Sequence, residues 1–398
     1  MKIEQSGYSR LVIPVGPVHP AIAEAPLRFV FEVEGEEVKN MDVQIGYNHR
    51  GIEFLAQRRT YNQVVYLVER ICGICSHSHP FAYVQAVENL LDLEVPRRGR
   101  YIRMLIGELE RIHSHLLWAG VAGYEIGYDT LLMYTWRDRE HVMDLLELLT
   151  GNRVNYAMHR IGGARRDIKG EKVNTAKAKL EILKGAVEKY KKIFLSDTRI
   201  AERAKGVGVL TKSDAIKLGA VGPNARASGV NEDIRRSDPH AAYDEVEFDV
   251  ITYDTGDVVA EVVVRLLELE QSIRIIEQGL KNIPKGLIAA PYDEFPDGGE
   301  GIGRYEAPRG EVIHYVRSNG TDYPERIRVR APTMANIPSY RPKLIGCQIA
   351  DIPIIVASID PCLTCTDRVT LIDPSGRSRV VDKEELRILA KRKYFGGV

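Results

Sequence analysis

Ile102-Arg103-Met104-Leu105-Ile106-Gly107-Glu108-Leu109-Glu110-Arg111-Ile112-His113-Ser114-His115-Leu116 decides the fold. Ile102, Leu105, Ile106, Leu109, Ile112 and Leu116 recur at helical spacing, which makes one apolar stripe on a helix expected from Pro96 to Leu117. The same period governs the neighbouring sequence. Glu53 to Leu93, Tyr128 to Leu149, Thr175 to Phe194 and Asp257 to Asn282 all read as helical, the last with Val262, Leu266, Leu269, Ile273 and Ile276 on one face.

Toward the chain ends the period changes to that of strands. Phe29 to Val33 and Val38 to Ile45 alternate around the turn-like Glu34-Gly35-Glu36, so a small N-terminal sheet is expected. After Pro291, three short pieces read as strand-like between Gly and Pro punctuation: Val312 to Val316, Ile327 to Val329 and Ile352 to Ile359. The expected class is α+β, mainly α, a long-helix bundle with a small sheet at each chain end. The expected divisions are an N-terminal β region at 1–52, the bundle at 53–290, a β-containing region with the second cysteine pair at 291–368, and a tail at 369–398. Gly219 to Asp257, rich in Gly, Pro and Asp, is too long for a mere connection and is either functional or an ordered loop.

The 398 residues carry 55 Lys plus Arg against 55 Asp plus Glu, and 44% are hydrophobic. Intrinsic disorder is excluded by that composition. A nucleic-acid partner is not expected, because such affinity is mostly phosphate neutralisation by a basic surplus. No apolar run approaches the ~20 residues of a transmembrane helix, so the chain is not expected to span a membrane, and its polar start carries no secretory signal.

Four of the five cysteines form two CxxC pairs. Cys72 and Cys75 lie in Arg70-Ile71-Cys72-Gly73-Ile74-Cys75, and Cys362 and Cys365 in Asp360-Pro361-Cys362-Leu363-Thr364-Cys365. This spacing lets both thiolates of a pair point to one side of a tight turn, and four soft sulfurs suit Zn, Fe or Ni. Gly73 leaves room for backbone and metal to approach. The spacing alone also admits a structural zinc site or a thioredoxin-like redox pair. Structural zinc pairs usually sit on compact ribbons, however, and neither pair lies in a βαβ context. Cys347 reads as a buried free thiol. His113 and His115, two apart on a helix, cannot chelate one metal together and read as packing or partner-interface residues.

A longer set of ordered segments accompanies the cysteines: Gly16-Pro17-Val18-His19-Pro20, His49-Arg50-Gly51, Glu69 to Cys75, Gly107 to Leu116, Gly222-Pro223, Arg226-Ala227-Ser228-Gly229, Arg304 to Gly310, and Asp360 to Cys365. Together they resemble the large catalytic subunit of membrane-bound group 4 [NiFe] hydrogenases, a family homologous to the 49 kDa subunit of complex I, which includes the archaeal sulfane-sulfur reductase. The resemblance covers nearly the whole chain. It implies a nickel–iron centre with Cys72 and Cys362 as terminal nickel ligands and Cys75 and Cys365 as bridges. It also implies Glu24 as proton carrier, Arg309 and Asp360 beside the metal with Pro308, and His79 near a bridging sulfur. His77 has no role in the family and reads as partly exposed or structurally bonded.

The resemblance further implies a small partner subunit with a [4Fe-4S] cluster, membrane subunits that pump ions, and a place in the peripheral arm at the cytoplasmic face. It ranks proton reduction to H2 first and sulfane-sulfur (polysulfide) reduction, with a modified or empty cysteine site, second. Quinone reduction ranks lower, because complex I subunits place a tyrosine where this chain has Gly73 and a histidine near Ala23. Mature nickel–iron subunits usually end near Arg368, whereas this sequence continues from Val369 to Val398. The added segment reads as two strand pieces around Pro374-Ser375-Gly376 and a short basic helix through Lys393, with Asp382 as its cap. Packed over Cys362, such a tail would favour the sulfur reductase.

Overall fold

The computed structural model describes residues 10–19, 26–292 and 295–366, with short pieces at 5–6, 371–372, 378–379, 388–389 and 391–392. Near the N-terminus β1 (Gln5–Ser6), β2 (Arg10–Val15), β3 (Arg28–Glu34) and β4 (Glu37–Gln44) form an antiparallel meander. Alternation in β3 buries Phe29, Phe31 and Val33, the expected face.

Between Ile52 and Leu90 the expected helical region divides into α1 (Ile52–Ala56), α2 (Tyr61–Glu69) and α3 (Ser78–Leu90). Thr60 and Gln63 close a capping box at the start of α2. The deciding stretch lies in α4 (Arg97–Glu125), which runs beyond the expected end at Leu117 and packs against α5 (Asp129–Thr150). A two-stranded hairpin, β5 (His159–Arg160) and β6 (Gly163–Ala164), precedes α6 (Glu171–Ser196). Four short helices follow, α7 (Thr198–Ala204), α8 (Lys212–Leu218), α9 (Gly222–Arg226) and α10 (Ile234–Ser237), and then α11 (Val258–Asn282), capped by Asp257. Leu105, Leu109, Ile112, Leu145, Leu149, Leu180, Leu183, Leu266, Leu269 and Ile273 from α4, α5, α6 and α11 make one buried core. Each such side chain contributes about 1.5–3 kcal/mol on burial. Gly219 to Asp257 is an ordered, packed segment built on α9 and α10.

The second sheet comprises β7 (Gly299–Ala307), β8 (Gly310–Ser318) and β9 (Arg326–Arg330) in antiparallel order. Glycine explains why β7 escapes a periodicity reading: a Cβ at Gly303 would lie 1.9 Å from the Ala82 carbonyl oxygen of α3, so the strand lies directly on that helix. One expectation is overturned. Ile352 to Ile359 is not a strand, because Ile352–Ser358 is a helix with Pro353 in its first turn. Short apolar runs fit either element, and proline at a helix start is the arbitrating signal.

Of the tail, Leu371–Ile372 pairs antiparallel with Ser378–Arg379. The expected turn at 374–376 and the cap at Asp382 lie outside the described residues.

Candidate metal centre

Cys72 and Cys75 occupy the turn between α2 and α3, while Cys362 caps and Cys365 ends a single 3₁₀ turn after helix Ile352–Ser358. Although Cys72 and Cys362 are 290 positions apart, their sulfurs lie 3.1 Å from one another, and Cys362 Sγ is 2.8 Å from Cys365 Sγ. All four sulfurs fall within 4.8 Å of one another, and all four residues are buried. None forms a disulfide. Sulfurs this close repel unless a proton or a cation lies between them. Hydrogen bonding with Cys362 above all, and with the other thiols, holds Cys72 well below the ordinary thiol pKa; the contact with Cys362 pushes Cys75 up, and burial pushes Cys365 up. Because a metal binds thiolates rather than thiols, a bound cation would displace the protons of these cysteines. The donor set fits nickel and iron by softness and number.

Arg50 joins the two loops. Its guanidinium donates to the carbonyls of Arg70 at 3.1 Å, Ile71 at 2.7 Å and Thr364 at 3.1 Å. Ile74 N–H donates to Cys72 Sγ at 3.3 Å, and Cys362 N–H to Thr333 Oγ1 at 2.9 Å.

Arg309 is carried in by the tight turn between β7 and β8 and is fully buried. Its Nε donates to the Asp360 carbonyl at 2.8 Å, its Nη2 pairs with the Asp360 carboxylate, and its Nη1 donates to Ser114 Oγ at 3.0 Å with Cys75 Sγ 3.9 Å away. Asp360 has φ 55°, a left-handed conformation that costs a non-glycine residue about 1–2 kcal/mol. That strained residue joins helix Ile352–Ser358 to the second cysteine loop. His79 Nε2 stands 3.4 Å from Cys365 Sγ, and burial lowers its pKa to about 4, so its ring is neutral.

The structure thus brings together seven of the residues singled out from sequence: Cys72, Cys75, Cys362, Cys365, Arg309, Asp360 and His79. Glu24 lies outside the described residues. His77 is buried, with Nδ1 2.9 Å from His159 Nε2, so it is structurally bonded but not exposed. Of the two readings of His113 and His115, packing holds, since both are buried in α4; His113 Nδ1 accepts from Arg139 at 2.8 Å, and His115 Nε2 lies 2.9 Å from Glu268. Cys347 is a free thiol but only half-buried.

Sequence reasoning missed Ser114, Thr333 and His314, and it assigned no role to Arg50. His314 had a legible signal: Val312, His314 and Val316 alternate onto the buried face of β8.

The family profile "Respiratory-chain NADH dehydrogenase, 49 Kd subunit" matches residues 125–297 and 293–368, and "Nickel-dependent hydrogenase" matches 50–119. The membrane-bound hydrogenase subunit alpha of Pyrococcus furiosus is 44% identical, over 94% of this chain and 92% of that protein. The carbon monoxide-induced hydrogenase of Rhodospirillum rubrum is 38% identical, over 90% and 100%. Among solved structures, a chain of the membrane-bound sulfane sulfur reductase, an archaeal respiratory membrane complex, superposes with a TM-score of 0.86 at 32% identity, covering 90% of this chain and 99% of that one. With the helical bundle, the two small sheets and the buried four-cysteine cage in place, the chain belongs to the family that unites the 49 kDa subunit of respiratory NADH dehydrogenase with the nickel-dependent hydrogenases, and it is an oxidoreductase.

Proposed function

We propose that this chain is the catalytic large subunit of a membrane-bound, ion-translocating respiratory complex that reduces protons to H2. The observation that carries this reading is the convergence of four buried, unbridged cysteine sulfurs within 4.8 Å. Cys72, Cys75, Cys362 and Cys365 would hold nickel and iron, with the terminal and bridging roles implied by the family. When bound, that centre supplies the redox chemistry.

The protein supplies the surroundings. Arg309 places a delocalised positive charge beside Cys75 in a water-excluded site, where it stabilises negative charge on a small ligand. Asp360 and Ser114 fix the plane of that guanidinium. His79 sets a ring nitrogen against Cys365 Sγ. Glu24 is the proposed proton carrier, by its place after the Gly16 to Pro20 segment.

Electrons must enter from outside. The four clustered cysteines are committed, and Cys347 packs in the separate cluster around the N-terminal sheet, so the chain has no cysteine set for a further iron–sulfur cluster. A partner subunit with a [4Fe-4S] cluster is the proposed donor. Among the described residues no helix is long and apolar enough to cross a membrane. By likeness to relatives that are subunits of membrane complexes, the proposed place of the chain is a peripheral arm docked on membrane subunits at the cytoplasmic face.

The likeness to the sulfane sulfur reductase structure favours a second reading, electron transfer to sulfane sulfur. Assays for hydrogen evolution and polysulfide reduction on one purified complex separate the two, alongside elemental analysis and the mass of this subunit. Stoichiometric nickel with hydrogen evolution that collapses in Glu24→Gln is the expected result. A nickel-free complex that reduces polysulfide would replace the first reading by the second.

A further inference from the structure

His79 reaches in two directions: its Nε2 lies 3.4 Å from Cys365 Sγ, and its Nδ1 lies 3.1 Å from His314 Nε2. Both rings are buried, and a 3.1 Å contact between two ring nitrogens requires one to donate its proton to the other; with one N–H on each neutral imidazole, the contact ties the two tautomers together. Two arrangements of these protons are available. In one, His314 Nε2–H donates to His79 Nδ1, and the His79 Nε2–H points at the sulfur. In the other, His79 Nδ1–H donates to His314 Nε2, and a bare His79 Nε2 faces Cys365.

The far nitrogen of His314 decides between them. Among the described residues His314 Nδ1 is buried without a hydrogen-bond partner. In the second arrangement it carries a proton with no acceptor, whereas in the first it leaves only an empty lone pair. Orphaned buried N–H groups are the rarer of the two and cost the full desolvation of a donor. Packing holds the pair in register: His79 is on α3, His314 on the inward face of β8, and the Tyr83 ring, one helical turn beyond His79, stands edge-on to His314 at 6.4 Å.

We propose that His314 is a positioning residue that holds His79 as its Nε2–H tautomer, with that N–H aimed at the Cys365 sulfur. An N–H directed at a metal-bound thiolate withdraws charge from the sulfur and raises the reduction potential of the centre. That consequence rests on the metal-site reading; the tautomer does not.

Solid-state nitrogen NMR of the purified complex, with isotope-labelled histidine, reads the tautomer directly, the His79 signals being those absent in His79→Gln. A protonated Nε2 and a bare Nδ1 are expected, and a bare Nε2 overturns the proposal whatever the site binds. In the cobalt(II)-substituted complex, the sulfur-to-cobalt charge-transfer band is expected to move to lower energy in His314→Leu. It should return in His314→Gln, whose amide N–H replaces the lost donor. An unmoved band in a His314→Leu complex that retains its subunits also overturns the proposal. Failure of the wild type to take up cobalt defeats the metal reading instead, and the NMR result still decides the tautomer.

Discussion

Arg309 spends every face of its guanidinium inside the protein: Asp360 takes one edge, Ser114 another, and Cys75 lies within reach of the third. A lysine at this position keeps the charge but is a point donor that cannot serve these groups at once. Arg309→Lys is therefore expected to lower turnover about 10²-fold while the metal content stays at the wild-type level. Loss of metal in step with activity would show that Arg309 builds the cage rather than serves its ligand. The same residues show what sequence can disclose at this scale. Paired cysteines announce themselves by spacing, and Arg309, Asp360 and His79 are found through family resemblance. Ser114, Thr333 and the three carbonyls held by Arg50 carry no local signature, because each contact joins positions far apart in the chain.

Helices with a sustained apolar stripe were legible nearly to their ends, as α5, α6 and α11 show, since burial of one face dictates a 3.6-residue period whatever the neighbours are. Elements shaped by close approach were not. β7 lies against α3 through Gly301 and Gly303, where the selected property is the absence of a side chain, and a residue chosen for absence leaves no periodic signal. Because α3 carries His79, this contact also sets the metal centre. Gly303→Ala would drive a Cβ to 1.9 Å from the backbone oxygen of Ala82, which must move the strand off the helix. A loss of about 3 kcal/mol or more is expected in urea unfolding, at the upper end of overpacking effects. Gly185 is the internal control: it is exposed within α6, and a methyl group placed there would meet no atom within 4 Å, so Gly185→Ala is expected to stabilise by about 1 kcal/mol. Equal effects at the two positions would contradict the contact argument.

A formal net charge of zero conceals how the charges are arranged through the molecule. The segment from Gly219 to Asp257, which could be read from sequence either as functional or as an ordered loop, delivers Arg226, Asp233 and Arg235 into the interior, where they meet Glu108, Arg111 and Glu268 from the bundle and Glu306 from β7. Four carboxylates thus share three guanidiniums in a dry cluster, while burial holds the adjoining His115 neutral with a pKa lowered to about 4. The surplus carboxylate raises the cost of ionising all four. Burial pushes Glu306 up to about 7, against the pull of Arg226, Arg111 and Arg235 and with the repulsion of Asp233, whereas Glu108, Glu268 and Asp233 are held below their ordinary values. Those three stay ionised in both folded and unfolded chains above pH 4.5, and the stability they contribute is lost only at lower pH. Glu306 works in the opposite sense: between its ordinary 4.5 and about 7 the folded chain binds the extra proton, so stability falls as pH rises through that window. The slope is about 1.4 kcal/mol per pH unit, or about 3 kcal/mol in all. Glu306→Gln, which mimics the protonated form, should match wild type near pH 4.5 and become the more stable protein above pH 7. Urea unfolding of both chains across pH 4.5 to 8 at fixed ionic strength measures the difference. Parallel curves would mean that Glu306 is ionised throughout.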